Sequence, residues 1–264
     1  MAVGMVTIRA LEVNARIVWS LCMKDLKRRN RTSPIGVFSA AAEPLAVMAI
    51  LALVFSAIRI RVPSLGDHFI LFLMTGFLPL YMFRRGATAV RRLMRSERAV
   101  GWFPHIRPLH VMLAGLLETA ITMIAVYVIM VLAYKAMFRI EEPKNFFLTL
   151  IPMFGNGIIG FGFGALNAWI GGWFPYWHTI FATLTAPLGV LSGIFFLASA
   201  LPRKALDILY YNPIMHSIEY FRQWYYPNYT STIFDPGYYF GWVFGSFAFA
   251  LAVERIFNRA LMSE

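Results

Sequence analysis

The first thirty residues of this chain carry a helical period. Ile8, Leu11, Ala15, Val18, Cys22 and Leu26 recur at three- and four-residue steps, while Arg9, Glu12, Arg16, Ser20, Met23 and Lys27 line the opposite side. The pattern predicts a helix lying in a membrane interface, with Trp19 at headgroup depth, that ends in the polar run from Lys27 to Arg31. Beyond Pro34 the period gives way to long apolar stretches. A helix needs roughly 20 such residues to cross a bilayer, and the stretches predict spans over residues 34–58, 68–90, 108–138, 146–171, 179–200 and 237–257. No charge occurs from Asn145 to Pro202. One helix of that length would reach roughly 85 Å, so the stretch must fold back, and Gly171 to His178 offers the Gly, Pro and interfacial aromatics of a turn. The expected fold is all-α integral membrane: an N-terminal cytoplasmic interface helix over 1–33, then one transmembrane domain over 34–264 with six spans. Re-entrant helices are expected in 201–236, between the fifth and sixth spans.

Composition fits this layout. The chain is 59% hydrophobic and 14% charged, where a soluble domain carries about a quarter charged residues. The formal charge of +11 reads as topology rather than nucleic-acid binding, because most basic residues flank spans. Arg9, Glu12 and Arg16 interrupt the first apolar stretch, so no cleavable leader is expected and targeting falls to the first true span. The single cysteine, Cys22, excludes an internal disulfide and a cysteine metal cluster.

Arg84, Arg85, Arg91, Arg92, Arg95, Arg98 and Arg107 crowd between the second and third spans, with Glu97 the only acid among them. Such a block stays on the cytoplasmic side. Six spans then put both termini in the cytoplasm and the 201–236 segment outside, where Arg59, Arg61, Arg139, Lys144, Arg203 and Arg222 also fall.

Several motifs invite chemistry. Gly155-Asn156-Gly157-Ile158-Ile159-Gly160 has the letters of a dinucleotide fingerprint, but it lies inside a span without the strand or the ribose-binding acid that the fingerprint requires. Gly160, Gly164, Ala168 and Gly172 read better as a small-residue stripe for close helix packing. No phosphate-cradling glycine loop precedes any lysine, so if ATP drives the chain a separate subunit must bind it. Glu43 and Glu118 are ionisable residues inside spans, either paired structurally with arginines or acting in proton relay or substrate contact. Ser192 and His216 are the candidates for an intramembrane hydrolase, although nothing in their spacing brings base to nucleophile. In 201–236, Ile214, Ile218, Phe221 and Tyr225 form an apolar stripe, with Glu219 one turn from His216, Arg222 and Gln223. Tyr210, Tyr211, Tyr220, Trp224, Tyr226 and Tyr229 surround them, either as an interfacial belt or as a platform for sugar rings.

Three stretches resemble one family. Arg31-Thr32-Ser33-Pro34-Ile35-Gly36 with Glu43-Pro44 looks like the entry to the first span of ABC-2 type polysaccharide-export permeases. Gly76-Phe77-Leu78-Pro79, with Phe103-Pro104 and Pro108, resembles their second span and coupling loop. Leu201-Pro202 and Tyr211-Asn212-Pro213-Ile214-Met215-His216, with Glu219 and Arg222, is similar to the pattern before their last span. The likeness is greatest to the inner-membrane permease of group 2 capsular polysaccharide exporters.

The resemblance implies a transport permease, not an enzyme, that moves a lipid-linked polysaccharide across the bacterial inner membrane. It implies a homodimer, two cytoplasmic ATPase subunits that bind ATP and Mg, and periplasmic or outer-membrane export partners, with no cofactor or metal in this chain. Arg91, Arg92, Arg95, Arg98, Phe103, Pro104 and Arg107 become the ATPase-coupling loop. Asn212, Pro213, His216, Glu219 and Arg222 become the periplasmic gate motif. Arg59, Arg61, Arg84, Arg85, Tyr210, Tyr211, Trp224 and Tyr225 are candidates for the substrate path. Exporters of O-antigen, teichoic acid or a small lipid or drug share the architecture, and a membrane-embedded enzyme of envelope biosynthesis is the alternative from another class.

Overall fold

A computed structural model describes residues 2–32, 36–57, 65–66, 68–97, 108–138, 142–174 and 176–261. All regular structure among them is helical: α1 (Ala2–Thr32), α2 (Gly36–Ala57), α3 (Phe69–Glu97), α4 (Pro108–Phe138), α5 (Phe146–Trp173), α6 (Trp177–Thr185), α7 (Leu188–Leu191), α8 (Arg203–Leu209), α9 (Pro213–Tyr225) and α10 (Pro236–Leu261), with a 3-10 turn at Ala198–Ala200. Within these, Leu109–Ala136, Phe146–Trp173 and Pro236–Ile256 are long and apolar enough to cross a membrane.

The axis of the molecule is α3. Residues 71–83 are all buried, as expected of a helix that is apolar on every side. Pro79 lies inside it and has no N–H to donate. Its carbonyl is engaged across the interface instead, accepting from Asn156 Nδ2 on α5 at 3.0 Å. Past the expected end at residue 90, α3 continues to Glu97. Residues 87–97 contain neither Gly nor Pro, so nothing stops the helix, and Arg91, Arg92 and Arg95 extend the rod instead of starting a loop.

Glycines let α5 touch two partners. A Cβ at Gly86 of α3 would lie 2.6 Å from the Gly157 carbonyl oxygen, and one at Gly160 would run into the Phe83 carbonyl. On another face, Gly155 sits against the Tyr239 ring and Gly162 against the Ser246 backbone of α10. The close approach therefore uses two faces of α5, not the single fourfold stripe expected from the sequence. Gly172, the last member of that stripe, has nothing within 4 Å.

The fifth apolar segment is not one helix. After α6 ends at Thr185, Pro187 starts the single-turn α7, and Gly193 then takes φ +79° in the left-handed region that favours glycine. From Ser192 to Leu197 the chain is non-helical and largely buried.

The apolar side of α1 covers α4. Leu21 and Cys22 pack with Val111 and Ala114, flanked by Ile17, Val18 and Leu26. Asn14 Oδ1 lies 3.2 Å from His110 Nε2, and Trp19 is exposed. Val18, Cys22 and Leu26 of the expected stripe are packed, but Ala15 is exposed and Met23, expected on the opposite side, joins the packed cluster; the side chains of Ile8 and Leu11 lie outside the described residues.

Candidate gate and coupling sites

The residues singled out before the last span fall on one buried side of α9. Asn212 caps the helix: its Oδ1 accepts from the Ile214 amide at 3.0 Å, and Pro213 takes the first position, where a missing N–H costs nothing. The Asn212 amide nitrogen donates to Ser192 Oγ at 2.9 Å and to the Leu191 carbonyl at 3.3 Å. One residue thus ends α7 and begins α9.

Arg222 is fully buried. Its Nε donates to Thr75 Oγ1 of α3 at 3.3 Å, Nη1 to the Phe196 carbonyl at 3.0 Å and Nη2 to the Ile194 carbonyl at 3.1 Å. Its charge lies 4.1 Å over the Phe72 ring. Glu219 approaches Nη1 at 3.5 Å with one carboxylate oxygen. The other accepts from Ser231 Oγ at 2.9 Å and from the Tyr229 hydroxyl. Non-helical backbone away from water needs partners for its carbonyls, and Arg222 supplies them to the buried stretch after α7.

His216 is held at both ring nitrogens. Nε2 lies 2.7 Å from the Tyr210 carbonyl, and Nδ1 lies 3.2 Å from the Asp235 amide nitrogen. A carbonyl only accepts and an amide N–H only donates, so the ring is neutral, with its proton on Nε2. Burial pushes its pKa below the ordinary 6.5, a fall partly offset by the Tyr210 carbonyl and by Asp235 and Glu219. Asp235 caps α10 through Oδ1 to the Tyr238 amide at 3.1 Å and accepts the Tyr210 hydroxyl at 2.6 Å. The Tyr210 hydroxyl holds the Asp235 carboxyl below its usual range.

With both ring nitrogens engaged and Ser192 bonded to Asn212, no serine–histidine pair forms here. The stripe is a clamp that fastens α9 to α3, to the chain on either side of it and to the start of α10.

The other candidates scatter. Tyr225 is 2% exposed; its ring stacks on Phe221 and meets Tyr226 edge to face. Trp224 is half-buried, with the Lys144 ammonium 5.4 Å over its ring. Tyr211 is 72% exposed and Tyr210 intermediate. Glu118 is buried and accepts from Thr122 Oγ1 at 3.4 Å. Arg84 Nη2 donates to the carbonyls of Thr185 and Ala186, at 3.1 and 3.2 Å, where α6 ends; Arg85 follows it on α3. Glu43 rides on α2, and Arg91, Arg92 and Arg95 on α3, with only their backbone described. Arg59, Arg61, Arg98, Phe103, Pro104 and Arg107 lie outside the described residues.

The sequence reading missed Thr75, Ser192 and Asp235 as parts of the clamp. Asp235-Pro236 carried a signal, since Asp before Pro is a helix-start signature. Thr75 and Ser192 carried none, because a lone hydroxyl in an apolar run acquires meaning only from what faces it.

Residues 16–226 match the family described as ABC-2 type transporter. The chain is 23% identical to the polysialic acid transport protein KpsM of Escherichia coli over 96% of its own length and 97% of that protein. It is 27% identical to the capsule polysaccharide export inner-membrane protein BexB of Haemophilus influenzae, over 83% of this chain and 82% of the relative. To CtrC of Neisseria meningitidis serogroup B, another capsule polysaccharide export inner-membrane protein, identity is 28% over 87% and 86%.

Proposed function

The chain belongs to the ABC-2 type transporter family, and on that premise we propose that it is the membrane subunit of an ATP-driven exporter of a lipid-linked capsular polysaccharide. The observation that carries this reading is the similarity to inner-membrane capsule-export proteins over 83–96% of the chain. The chain is a transport protein, not an enzyme. ATP and Mg are bound by two separate cytoplasmic ATPase subunits, and periplasmic export proteins receive the polymer.

In this reading the chain crosses the bacterial inner membrane six times, with both termini cytoplasmic. The helices α2 to α5 and α10 supply five crossings, and the broken segment with α6 and α7 supplies the remaining one. The helices α8 and α9 form the re-entrant periplasmic gate, and two copies enclose the path. Exposed apolar side chains at Ile50, Ile180, Leu184 and Val190 support a partner copy beside α2, α6 and α7. The continuous helix of α3 supports a coupling role for Arg91, Arg92 and Arg95, with Arg98, Phe103, Pro104 and Arg107 completing the contact. A rod passes a push along its length, whereas a loop absorbs it. Arg59, Arg61, Tyr210 and Tyr211 are proposed to meet the glycan at the outer mouth.

Co-purification and reconstitution test the reading. An ATPase subunit is expected to travel with the chain, and cells lacking the chain should retain their surface polymer inside. Replacing Arg95 and Arg98 by Glu should abolish ATPase association and export together. Retention of both in that variant would sink the coupling assignment.

A further inference from the structure

Arg84 sits two turns before the first of the coupling arginines on the same helix, but its guanidinium points at the broken segment. Resting on the exporter reading above, we infer that Arg84 is a positioning residue that makes the α6–α7 break follow α3, and not a contact for the glycan.

Four observations carry the inference. First, Arg84 Nη2 donates to the carbonyls of both Thr185 and Ala186. These carbonyls close α6 beside Pro187, which has no N–H to offer a carbonyl one turn back. The end of a helix is its negative pole, and a cation placed there is held by charge as well as by hydrogen bonds.

Second, α6 has no buried residue, so side-chain burial does little to fix it. Trp177 Nε1 ties its start to Asn167 Oδ1 of α5 at 2.9 Å, and the Phe181 ring faces Phe163 of α5 at 6.4 Å. Its far end, where the chain breaks, is the end that Arg84 grips.

Third, Arg84 grows from a turn of α3 that lies directly against the α5 backbone. Gly86 and Gly160 bring the backbones of α3 and α5 into direct contact there, so a displacement of α3 cannot be absorbed between the two helices. Fourth, Arg91 and Arg95 lie further along the same unbroken helix, roughly 10 and 16 Å away at the rise of an α-helix. A shift imposed at the coupling arginines arrives at Arg84 as a shift of the same rod.

The same α3 also meets Arg222 through Thr75 and Phe72. Its lower contact, Arg84, holds the break at Ala186, and its upper contact holds the clamp that satisfies the chain after α7. The break and the gate helix are thereby fastened to one rod at two heights.

The test uses the full chain with its co-expressed ATPase in membranes. Ala182 is an exposed residue in the last turn of α6; in a Cys22→Ser background, Ala182→Cys gives a maleimide reporter of the end of α6. Its labelling rate is expected to change between nucleotide-free membranes and membranes trapped with ATP and vanadate. Arg84→Met removes the charge and the donors at similar length. It should make labelling independent of nucleotide and lower polymer exported per ATP by about tenfold or more, the scale of one charge-assisted bond. ATPase association and basal hydrolysis should stay near wild type.

Arg84→Lys should recover part of the coupling, because an ammonium can still sit on the two carbonyls. Thr185→Val should behave as wild type, since the contact uses only the backbone oxygen. The inference is overturned if labelling in Arg84→Met still follows nucleotide, or if export per ATP is unchanged. It is equally overturned if both the Met and Lys variants lose the ATPase, which would make Arg84 a folding residue. Failure of the exporter reading is separable, because then no ATPase accompanies the wild-type chain.

Discussion

Arg222 has left water entirely, and a buried guanidinium costs several kcal/mol unless its donors are met. Three hydrogen bonds to Thr75, Ile194 and Phe196, a carboxylate on its own helix and the face of Phe72 meet them. Arg222→Met should therefore cost about 3–5 kcal/mol, because it strands Glu219 and two carbonyls at once. The expected result is a sharp drop in folded protein in the membrane and a lower unfolding midpoint. Pairing it with Glu219→Gln should recover part of the loss.

His216 makes a different prediction. Its folded pKa lies below the ordinary 6.5, so the unfolded chain takes up a proton first as pH falls. The stability it contributes is complete above 6.5 and is lost as pH drops through the depressed folded value. Thermal unfolding of the purified protein should show a midpoint that declines in that window, and His216→Gln should flatten that part of the profile. The Asp235 pKa is lowered as well: its carboxyl is held below 3.8. Its stability is present above 3.8 and is lost at still lower pH.

Among the helices, α3 and α5 are joined by backbone contact rather than by side chains. Gly160→Ala puts a methyl group against the Phe83 carbonyl, whereas Gly172→Ala meets nothing within 4 Å. The first should destabilise the protein by about 1–3 kcal/mol, as overpacking does. The second should be neutral or slightly stabilising through helix propensity. Denaturation of the two single variants in the same detergent checks the contrast. A period-four count on α5 groups Gly160 with Gly172, but packing separates them: one lies under α3 and the other beyond its reach. The fifth segment shows the complementary gap. Its apolar run was legible and read as one span over 179–200, but Pro187 within it decides nothing by itself, since a proline in a membrane segment can kink a helix or end it. Which occurred depended on Arg84 and Arg222, remote in sequence, being at hand to satisfy the exposed carbonyls.

The molecule as a whole is a core of α3, α4, α5 and α9 with α1 laid along α4. Burial raises the Cys22 thiol to about 11, with the carboxylates Glu118 and Asp25 pushing the same way. At pH 8 almost no thiolate is present, and the residue is fully covered. Maleimide should label Cys22 slowly in native membranes and readily after denaturation; fast labelling in the native state would mean that α1 does not stay docked. The long unbroken runs and the absent charge from Asn145 to Pro202 already required a helical membrane protein, because burial in lipid or protein is the only stable fate of such surfaces. Their order also sufficed for the family likeness. Tertiary structure alone selected the partners. Arg222 was a positive charge near a span end until α3 and the chain after α7 closed around it, and Arg84 was one of a block until α6 ended beside it. Hydrophobic pattern is local and repeats along the chain, whereas a polar group's meaning is set by the acceptor it faces, and that acceptor lay 26 to 147 residues away.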